Sequence, residues 1–501
     1  MSTVVDSRPS PGVPRPYEFP SVGRVRLPNG VELRTADLPG RPLVSAAMIL
    51  RYGAVDEPAD RAGATILAGR SLTEGTERYD AIELVEASER LGATLHAEAS
   101  WDATSVSVDV PAERLEAALE LLAEIAHRPT FPEREVERLR DERLNDLLQA
   151  KADPRRRADE AFTRTIYTTD TPYHRPGGGT EETVAGLDRD AVVAAYQAAR
   201  DPSRATFIVA GEVRGIDVEG IVARLFGDWG RSPSAAPTRP IVARSALDGR
   251  RVRLIHRPGS VQSELRIGHM GVPRRFVDYH AISVAGSILG GLFNSRLNMK
   301  LREEKGYTYG AGAGWDLRRG SGPFGARAAV NSEVTVPAVI DLLAELDRIR
   351  DEPVTETELR AARDYLVGVF PIRFETPGAV LGAIAGLAVH DLADEELTSY
   401  RDRIEAVTIE DVARVAREQI HMDRLAVVIV GDADAVADEL GRAGIGTIEI
   451  ERDEGPMQEG PMAGVDEQLG PTDQDEQIVL PVDDNPLTEP MEEPDDERRP
   501  A

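Results

Sequence analysis

Short apolar runs separated by turn residues open the chain and predict β-strands. Residues 25–33 surround an Asn29-Gly30 pair, which is typical of a tight hairpin turn, and residues 43–52 form a second apolar run. Two β-branched runs that end in glycine, 205–211 and 425–431, predict buried strands. Because charged amphipathic helices occupy the intervening stretches, the pattern indicates the α+β class, with helices packed on one face of a mainly antiparallel sheet.

The second half of the chain repeats landmarks of the first half in the same order. The shifts lie between 214 and 225 residues, and the pairs are Trp101-Asp102 with Trp315-Asp316, the Leu-rich runs 121–125 and 342–346, the predicted capping boxes of Thr130 with Glu133 and Thr355 with Glu358, and the two glycine-terminated strands. A stretch rich in Gly, Pro and Ser separates the copies. We therefore predict two homologous domains, 21–230 and 246–450, joined by a linker at 231–245.

The two ends of the chain differ from the rest. Residues 451–501 hold 17 Asp and Glu against 3 Arg, so this segment carries −14 of the total charge of −28. Its prolines and its lack of aromatic residues predict a disordered acidic tail, which is either a solubilising extension or an interaction arm. Residues 1–20 are predicted to be a flexible N-terminus.

Composition also restricts the compartment and the partners. The acidic balance argues against nucleic acid, and the absence of cysteine excludes thiolate zinc ligands and disulfides. The first residues lack the basic and apolar blocks of a secretory signal. The most continuous apolar run, 379–389, is shorter than the roughly 20 residues of a membrane helix. We expect a cytoplasmic chain without membrane contact.

One long segment carries a family signature. Residues 290–309 read Gly-Gly-Leu-Phe-Asn-Ser-Arg-Leu-Asn-Met-Lys-Leu-Arg-Glu-Glu-Lys-Gly-Tyr-Thr-Tyr, which resembles the C-terminal-half signature of the insulinase/pitrilysin family of zinc metallopeptidases, the inverzincins. Further matches lie at 53–76, 131–154 and 172–182. The resemblance implies a two-domain half-shell, that is, half of a clamshell that closes around a peptide.

The zinc motif of that family is degenerate in this chain. The family binds zinc through His-x-x-Glu-His, and alignment on Gly75-Thr76 places the three functional positions on Ile66, Gly69 and Arg70. Isoleucine and glycine have no donor atom, and a guanidinium repels a dication. No His-x-x-Glu-His or His-Glu-x-x-His occurs elsewhere, so we expect no metal and no cofactor on this chain.

The family's third zinc ligand is a glutamate that follows about 75 residues after the motif. Its neighbourhood here offers Asn145 and Asp146, preceded by Asp141 and Glu142. Carboxylates alone do not make a zinc site, and we interpret these residues as the solvated face of an amphipathic helix.

The resemblance also implies two groups that act from the half opposite the zinc. An arginine and a tyrosine seven residues later match Arg302 and Tyr309, and such donors stabilise the oxyanion formed in peptide hydrolysis. Tyr307 competes for the phenol role, because alternation along a strand would place it on the same face as Tyr309. The alternative is structural, with Arg302 in a surface ion pair with a neighbouring glutamate and Tyr309 half-buried.

The strand beside the substrate usually carries Asn-Ala in this family, and His96 and Ala97 match those positions. We predict that both line the substrate site, the alternative being a satisfied or surface histidine. The favoured function is a non-metal-binding subunit of a heteromeric zinc metallopeptidase, with zinc on a paralogous partner and peptides as substrates. A non-catalytic scaffold subunit and an independent zinc peptidase with atypical ligands are the alternatives.

Overall fold

The computed structural model describes residues 16–452, and its framework is two six-stranded sheets. The first sheet contains β1 (Val22–Arg26), β2 (Glu32–Asp37), β3 (Leu43–Leu50), β4 (Thr94–Ala99), β5 (Thr104–Pro111) and β6 (Ala205–Gly211). Their order is β1-β2-β6-β3-β5-β4, in which β2 and β6 are parallel and the other neighbours antiparallel. The β1–β2 hairpin turns at Asn29-Gly30, where Gly30 takes a φ of +104°.

The second sheet repeats this order with one difference. It contains β7 (Arg251–His256), β8 (Gln262–Met270), β9 (Ala311–Trp315), β10 (Pro323–Asn331), β11 (Ala426–Gly431) and β12 (Thr447–Arg452), in the order β12-β7-β11-β8-β10-β9. The outermost strands are not equivalent, because β1 precedes β2 and runs antiparallel to it, whereas β12 follows β11 and runs parallel to β7. The prediction of an α+β fold with two homologous, mainly antiparallel sheets is confirmed.

Sixteen α-helices lie within residues 16–452. They are α1 (Ala64–Ser71), α2 (Ala81–Glu89), α3 (Leu115–His127), α4 (Glu133–Ala152), α5 (Pro154–Ile166), α6 (Glu181–Ala185), α7 (Arg189–Ala199), α8 (Val218–Phe226), α9 (Tyr279–Gly286), α10 (Thr335–Asp351), α11 (Glu356–Val369), α12 (Pro377–His390), α13 (Glu395–Thr398), α14 (Tyr400–Ala406), α15 (Ile409–Gln419) and α16 (Ala433–Ala443). Most of them pack on one face of the sheet of their own half.

Two helices cross from one half to the other. Helix α5 belongs to the first half, yet its Phe162 and Ile166 pack with Val428 of the second sheet. Helix α12 belongs to the second half, and it lies on β3 and β6 of the first sheet. Each sheet therefore has one face covered by its own helices and the other by a helix of the opposite half.

One predicted capping box is wrong and the other is confirmed. Thr355 caps α11 through its side chain and pairs reciprocally with Glu358. In the first half, α4 begins at Glu133 with Pro132 as N-cap. The Thr130 amide instead donates to the Gly75 carbonyl, because Phe131 takes a φ of +48° and separates Thr130 from the helix.

The predicted ends fall largely outside residues 16–452. Of the N-terminal segment 1–20, the last residues are ordered against the second half, where the rings of Tyr17 and Phe19 contact Phe370 and Phe374 edge-on. Strand β12 includes residues 451 and 452, and the rest of the predicted acidic tail lies beyond it. No single helix in the described part is long and apolar enough to cross a membrane, although the bent pair Glu356–Phe374 and Pro377–His390 together meets the length and composition criteria.

Candidate functional site

Helix α1 contains the three positions of the degenerate zinc motif, and a buried carboxylate fixes its start. Glu57 accepts hydrogen bonds from the Gly63 amide at 2.9 Å and the Thr65 amide at 3.0 Å. Arg175 donates to the same carboxylate at 3.3 Å. Burial raises the pKa of Glu57, and these donors oppose that rise by stabilising the ionised form.

Gly69 brings α1 into direct contact with the edge strand β4. A Cβ at this position would lie 2.6 Å from the Ala99 amide nitrogen and 2.7 Å from the Glu98 carbonyl carbon, closer than side chains approach backbone atoms. A glutamate at position 69 therefore requires α1 to move away from β4. Ile66, one turn earlier, is half-buried and offers only carbon atoms.

Arg70 is engaged by an ion pair with helix α4. Its Nη2 lies 3.1 Å from Glu142 Oε2, and Arg138 binds the other oxygen of Glu142 at 2.5 Å. Arg138 also contacts Glu74 and Glu135. Arginine–carboxylate pairs therefore occupy the space between α1 and α4.

The second half uses a glycine in the same way. Gly290 lies in the π-helical turn Ser287–Gly291 after α9, and a Cβ there would come within 2.1 Å of the Ala313 amide nitrogen in β9. The chain then passes through a second π-helical turn, Asn298–Glu304, before β9 begins at Ala311. This excursion, residues 292–310, carries the family signature.

Arg302 and Tyr309 both lie on this excursion and reach solvent. The Arg302 Cζ is 4.4 Å from the centroid of the Phe293 ring, and its Nε is 3.6 Å from Glu303 Oε1. Tyr309 is 95% exposed, whereas Tyr307 is half-buried against the second core. The prediction that both tyrosines share one face of a strand is wrong, because residues 305–310 form no strand and β9 begins only at Ala311.

His96 and Ala97 lie on β4, at the open edge of the first sheet. They pair with Ser107 and Val106 of β5, and no described strand pairs with the other side of β4. His96 is exposed, while Ala97 packs toward the first core. Alternation along the strand therefore directs His96 and Ala97 to opposite faces, so that only the backbone and His96 are available beside this edge.

Two family models match the chain. The one described as "Insulinase (Peptidase family M16)" matches residues 34–176, and the one described as "Peptidase M16 inactive domain" matches residues 186–366. The chain belongs to the M16 peptidase family. Residues 177–185 separate the two matches, and this gap contains α6 and precedes the closing strand β6 of the first sheet.

Relatives of this M16 chain cover most of its length. An uncharacterized zinc protease of Streptomyces coelicolor is 26% identical over 404 residues, covering 79% of this chain and 87% of the relative. One of Mycobacterium leprae is 24% identical, covering 80% and 89%. Crystal structures of a peptidase M16 inactive domain from Pseudomonas fluorescens and of a protease from Helicobacter pylori both superpose with a TM-score of 0.76, at 22% and 20% identity, covering 82% of this chain and 98% and 100% of theirs.

The residues of this M16 chain do not fit the zinc ion that its family implies. Ile66 and Gly69 lack donor atoms, and Arg70 is a cation bound to Glu142. Asp146, near the position expected for the third ligand, accepts from Arg143 and from Arg156, and these arginines lower its pKa against the opposing effect of burial. The carboxylates between α1 and α4 are thus already neutralised by guanidinium groups.

Another cluster of metal-ligating types lies at the end of β7. Ligand atoms of His256, Asp432 and Asp434 come within 4.8 Å of one another. However, His256 Nδ1 accepts from the Ala433 amide at 3.1 Å, and Asp434 binds Arg452 at 2.6 Å. These contacts explain the cluster as the N-terminal cap of α16.

Sequence reasoning missed the residues that hold the two motif segments in place. Glu142 was interpreted as solvated, yet it binds Arg70 across the gap between α1 and α4. The signature contains Phe293 but does not indicate that its ring lies under Arg302. A positive charge at a position where the family has a zinc ligand is a signal for such a pairing. It favours an acidic residue on the helix that corresponds to the one with the family's third ligand.

Proposed function

We propose that this M16 chain is the non-metal-binding subunit of a two-chain zinc peptidase. A paralogous partner with an intact His-x-x-Glu-His motif would hold the zinc, and this chain would supply Arg302, Tyr309 and one wall of the chamber. The observation that carries the proposal is a contrast within the molecule. On the motif helix α1, Arg70 is engaged in an ion pair with Glu142, whereas on the signature segment Tyr309 is 95% exposed.

The chemistry asked of Arg302 and Tyr309 is donation to an oxyanion. Hydrolysis of a peptide bond develops negative charge on the carbonyl oxygen, and a guanidinium and a phenol could both donate to it. The zinc expected on the partner would supply the activation of water. A peptide would bind in extended form by hydrogen-bonding along a sheet edge. In this chain the exposed edge of β4, next to His96, has the geometry for such pairing.

Reconstitution tests the proposal. Purified chain is mixed with a paralogue that carries His-x-x-Glu-His, and cleavage of a quenched fluorescent peptide is compared with the paralogue alone. We expect the mixture to be faster, and we expect Arg302→Ala to reduce the rate of the mixture about 10²- to 10³-fold. A mixture that is no faster than the paralogue alone contradicts the proposal.

A matched control is available for the arginine. Arg114 is exposed and its Nε lies 3.7 Å from the carboxylate of the preceding Glu113, much as Arg302 lies beside Glu303. Arg114→Ala removes the same charge at a similar surface ion pair and should leave the rate unchanged. Size-exclusion chromatography of each mixture separates a loss of chemistry from a loss of assembly.

The second candidate is a scaffold subunit without a catalytic contribution. The contact between Arg302 and the Phe293 ring favours it, because a cation over an aromatic face has a structural role of its own. Under this alternative, Arg302→Ala leaves the activity of an assembled complex unchanged, while it lowers the thermal stability of the isolated chain slightly.

A further inference from the structure

A cleft of about 810 Å³ lies inside this chain, between its two sheets. Strands β3 and β5 form one wall, β9 and β10 the other, and the crossing helices α5 and α12 flank them. Small residues keep the cleft open: Gly314 and Gly325 pair across β9 and β10, and a Cβ at Gly314 would meet no atom within 4 Å. Its volume lies within the range of about 300–1,000 Å³ that small-molecule sites occupy.

One end of the cleft holds an arginine without a partner. Arg327 on β10 lies between Gly312 of β9 and Arg266 of β8, and within residues 16–452 it forms no hydrogen bond and no ion pair. The adjacent Arg266 is different, because Asp159 and Glu264 both bind it. Burial and the nearby Arg155 and Arg266 lower the pKa of Arg327, and Asp159 and Glu264 oppose this effect. Both acids bind Arg266, so the guanidinium donors of Arg327 are left for an anion at this end of the cleft.

The other end of the cleft contains buried polar atoms on Asp102 and His390. Asp102 and His390 are 8% and 9% exposed, and Asp102 Oδ1 and His390 Nδ1 have no hydrogen-bond partner in the described part of the chain. The other Asp102 oxygen accepts from the Arg319 amide at 2.9 Å. Burial, together with Arg274 and Arg319, lowers the pKa of His390 to about 3, so its ring is neutral. A hydrogen-bond donor is what Asp102 Oδ1 lacks.

The register of β9 gives the backbone separation between residues beside the two ends. Gly312 pairs with Arg327, and Asp316, whose charge acts on Asp102, is four residues further along. Four residues of extended chain span about 13 Å. The apolar part of the lining includes Ile49, Phe162, Trp315, Leu381 and Ala385, and the carboxylates Glu98, Asp109, Asp159 and Asp316 also line the cleft. Asp109, Asp159 and Asp316 are bound by Ser45, Arg266 and Arg318, respectively.

We propose that this cleft binds a small organic acid with an apolar body, whose carboxylate contacts Arg327 and whose far end donates a hydrogen bond to Asp102. The site is distinct from the signature segment, since neither Arg302 nor Tyr309 lines it. It needs no partner chain, because both walls and both flanking helices come from the same polypeptide.

Titration of the full chain with decanoate, ω-hydroxydecanoate and decylamine tests the proposal. Trp101 and Trp315 line the cleft, and the remaining tryptophan, Trp229, is fully buried in the first core, so intrinsic fluorescence reports occupancy. We expect saturable decanoate binding, ω-hydroxydecanoate binding about 5-fold tighter because its hydroxyl reaches Asp102, and no saturable binding of decylamine. No saturation with decanoate, or equal affinity for decylamine, overturns the proposal.

Variants assign the binding to the cleft. Arg327→Gln should weaken decanoate about 10- to 100-fold. Arg253→Gln is the matched control, because Arg253 is a half-buried arginine of the same sheet that binds Glu451 and does not line the cleft. Its decanoate affinity should equal that of the unaltered chain. Equal affinity of the Arg327→Gln variant overturns the proposal.

Thermal melts distinguish a binding role for Arg327 from a structural one. Without ligand, Arg327→Gln should melt at a higher temperature than the unaltered chain, because it removes an unpaired buried charge, and decanoate should no longer raise that temperature. A lower melting temperature with decanoate stabilisation retained overturns the proposal. Gly314→Leu, placed where a side chain meets open space, should fold and lose decanoate binding through filling of the cleft, and retained binding again overturns it.

Discussion

The two halves of this M16 chain build the same contact and reinforce it differently. Gly69 allows α1 to pack directly on the edge strand β4, and Gly290 allows the segment after α9 to pack directly on the edge strand β9. In the first half two partly exposed pairs join this region to α4: Arg70 with Glu142, and Arg138 with Glu74 just after α1. In the second half Arg296 makes a two-pronged contact with Glu358 at the start of α11, and the arginine is buried. The two halves thus differ in the burial of the arginine that makes the contact: it is partly exposed in the first half and buried in the second.

Removal of the Arg296–Glu358 pair should have the largest effect on stability. Arg296→Ala leaves Glu358 without the guanidinium that binds both its oxygens. Arg296 is buried, but the Glu358 side chain is 25% exposed and keeps its bonds from Thr355, so the loss should be about 2–3 kcal/mol of unfolding free energy, between the values for exposed and fully buried pairs. Urea unfolding followed by circular dichroism measures the loss. A loss below about 1 kcal/mol would mean that the second half is braced no better than the first.

Acid should reproduce part of that loss. The contact with Arg296 and the capping bonds from Thr355 hold the pKa of Glu358 at about 2, below its usual 4.5, despite burial that acts in the opposite direction. A depressed carboxyl pKa stabilises the fold above pH 4.5, and this contribution disappears as the pH falls toward 2. We expect the difference in unfolding free energy between the unaltered chain and Arg296→Ala to shrink from pH 6 to pH 3. A difference that stays constant over this interval contradicts the assignment.

The glycines test the feature that the halves share. Gly69→Ala and Gly290→Ala each insert a Cβ against backbone atoms, and overpacking of this kind costs about 1–3 kcal/mol. Both variants should therefore lose stability to a similar extent. As a control, Gly441→Ala lies on helix α16, where a Cβ meets nothing within 4 Å, and it should be neutral or slightly stabilising. Tolerance of alanine at only one of the two positions would show that the halves are not packed alike.

Arg70→Ala should have the smallest effect. Its side chain is 34% exposed and that of Glu142 is 45% exposed, and pairs of this kind contribute about 0.2–1 kcal/mol. The ratio of the two losses in unfolding free energy, for Arg70→Ala and Arg296→Ala, measures how differently the ion pairs stabilise the two halves. A larger loss for Arg70→Ala than for Arg296→Ala would contradict the comparison.

Repeats and short motifs in the sequence were enough to predict the fold class and the family. The Asn29-Gly30 turn, the glycine-terminated strands and the Thr355 capping box are local features, and each forms as predicted. The predicted capping box at Thr130 does not form, because Phe131 adopts a positive φ and its ring is buried. No local sequence pattern predicts that conformation.

The parts of the candidate site that sequence missed are contacts between distant segments. Arg70 and Glu142 are 72 residues apart, and Asp102 and Arg319 are 217 apart. Tyr307 and Tyr309 were expected on one strand because a period of two fits extended chain, but β9 begins only at Ala311, after both residues. The roles of Arg302, Tyr309, His96 and Ala97 stay predictions that enzymology must test.

The exchange of α5 and α12 between the halves has a consequence for the origin of the duplication. A single copy of this plan would leave one sheet face bare, since the helix that covers it is supplied by the other copy. An unduplicated ancestor could bury that face by trading helices with a second molecule in a symmetric dimer. Fusion of two genes would then have placed both copies in one chain. That chain should unfold in one cooperative step and not as two separable domains.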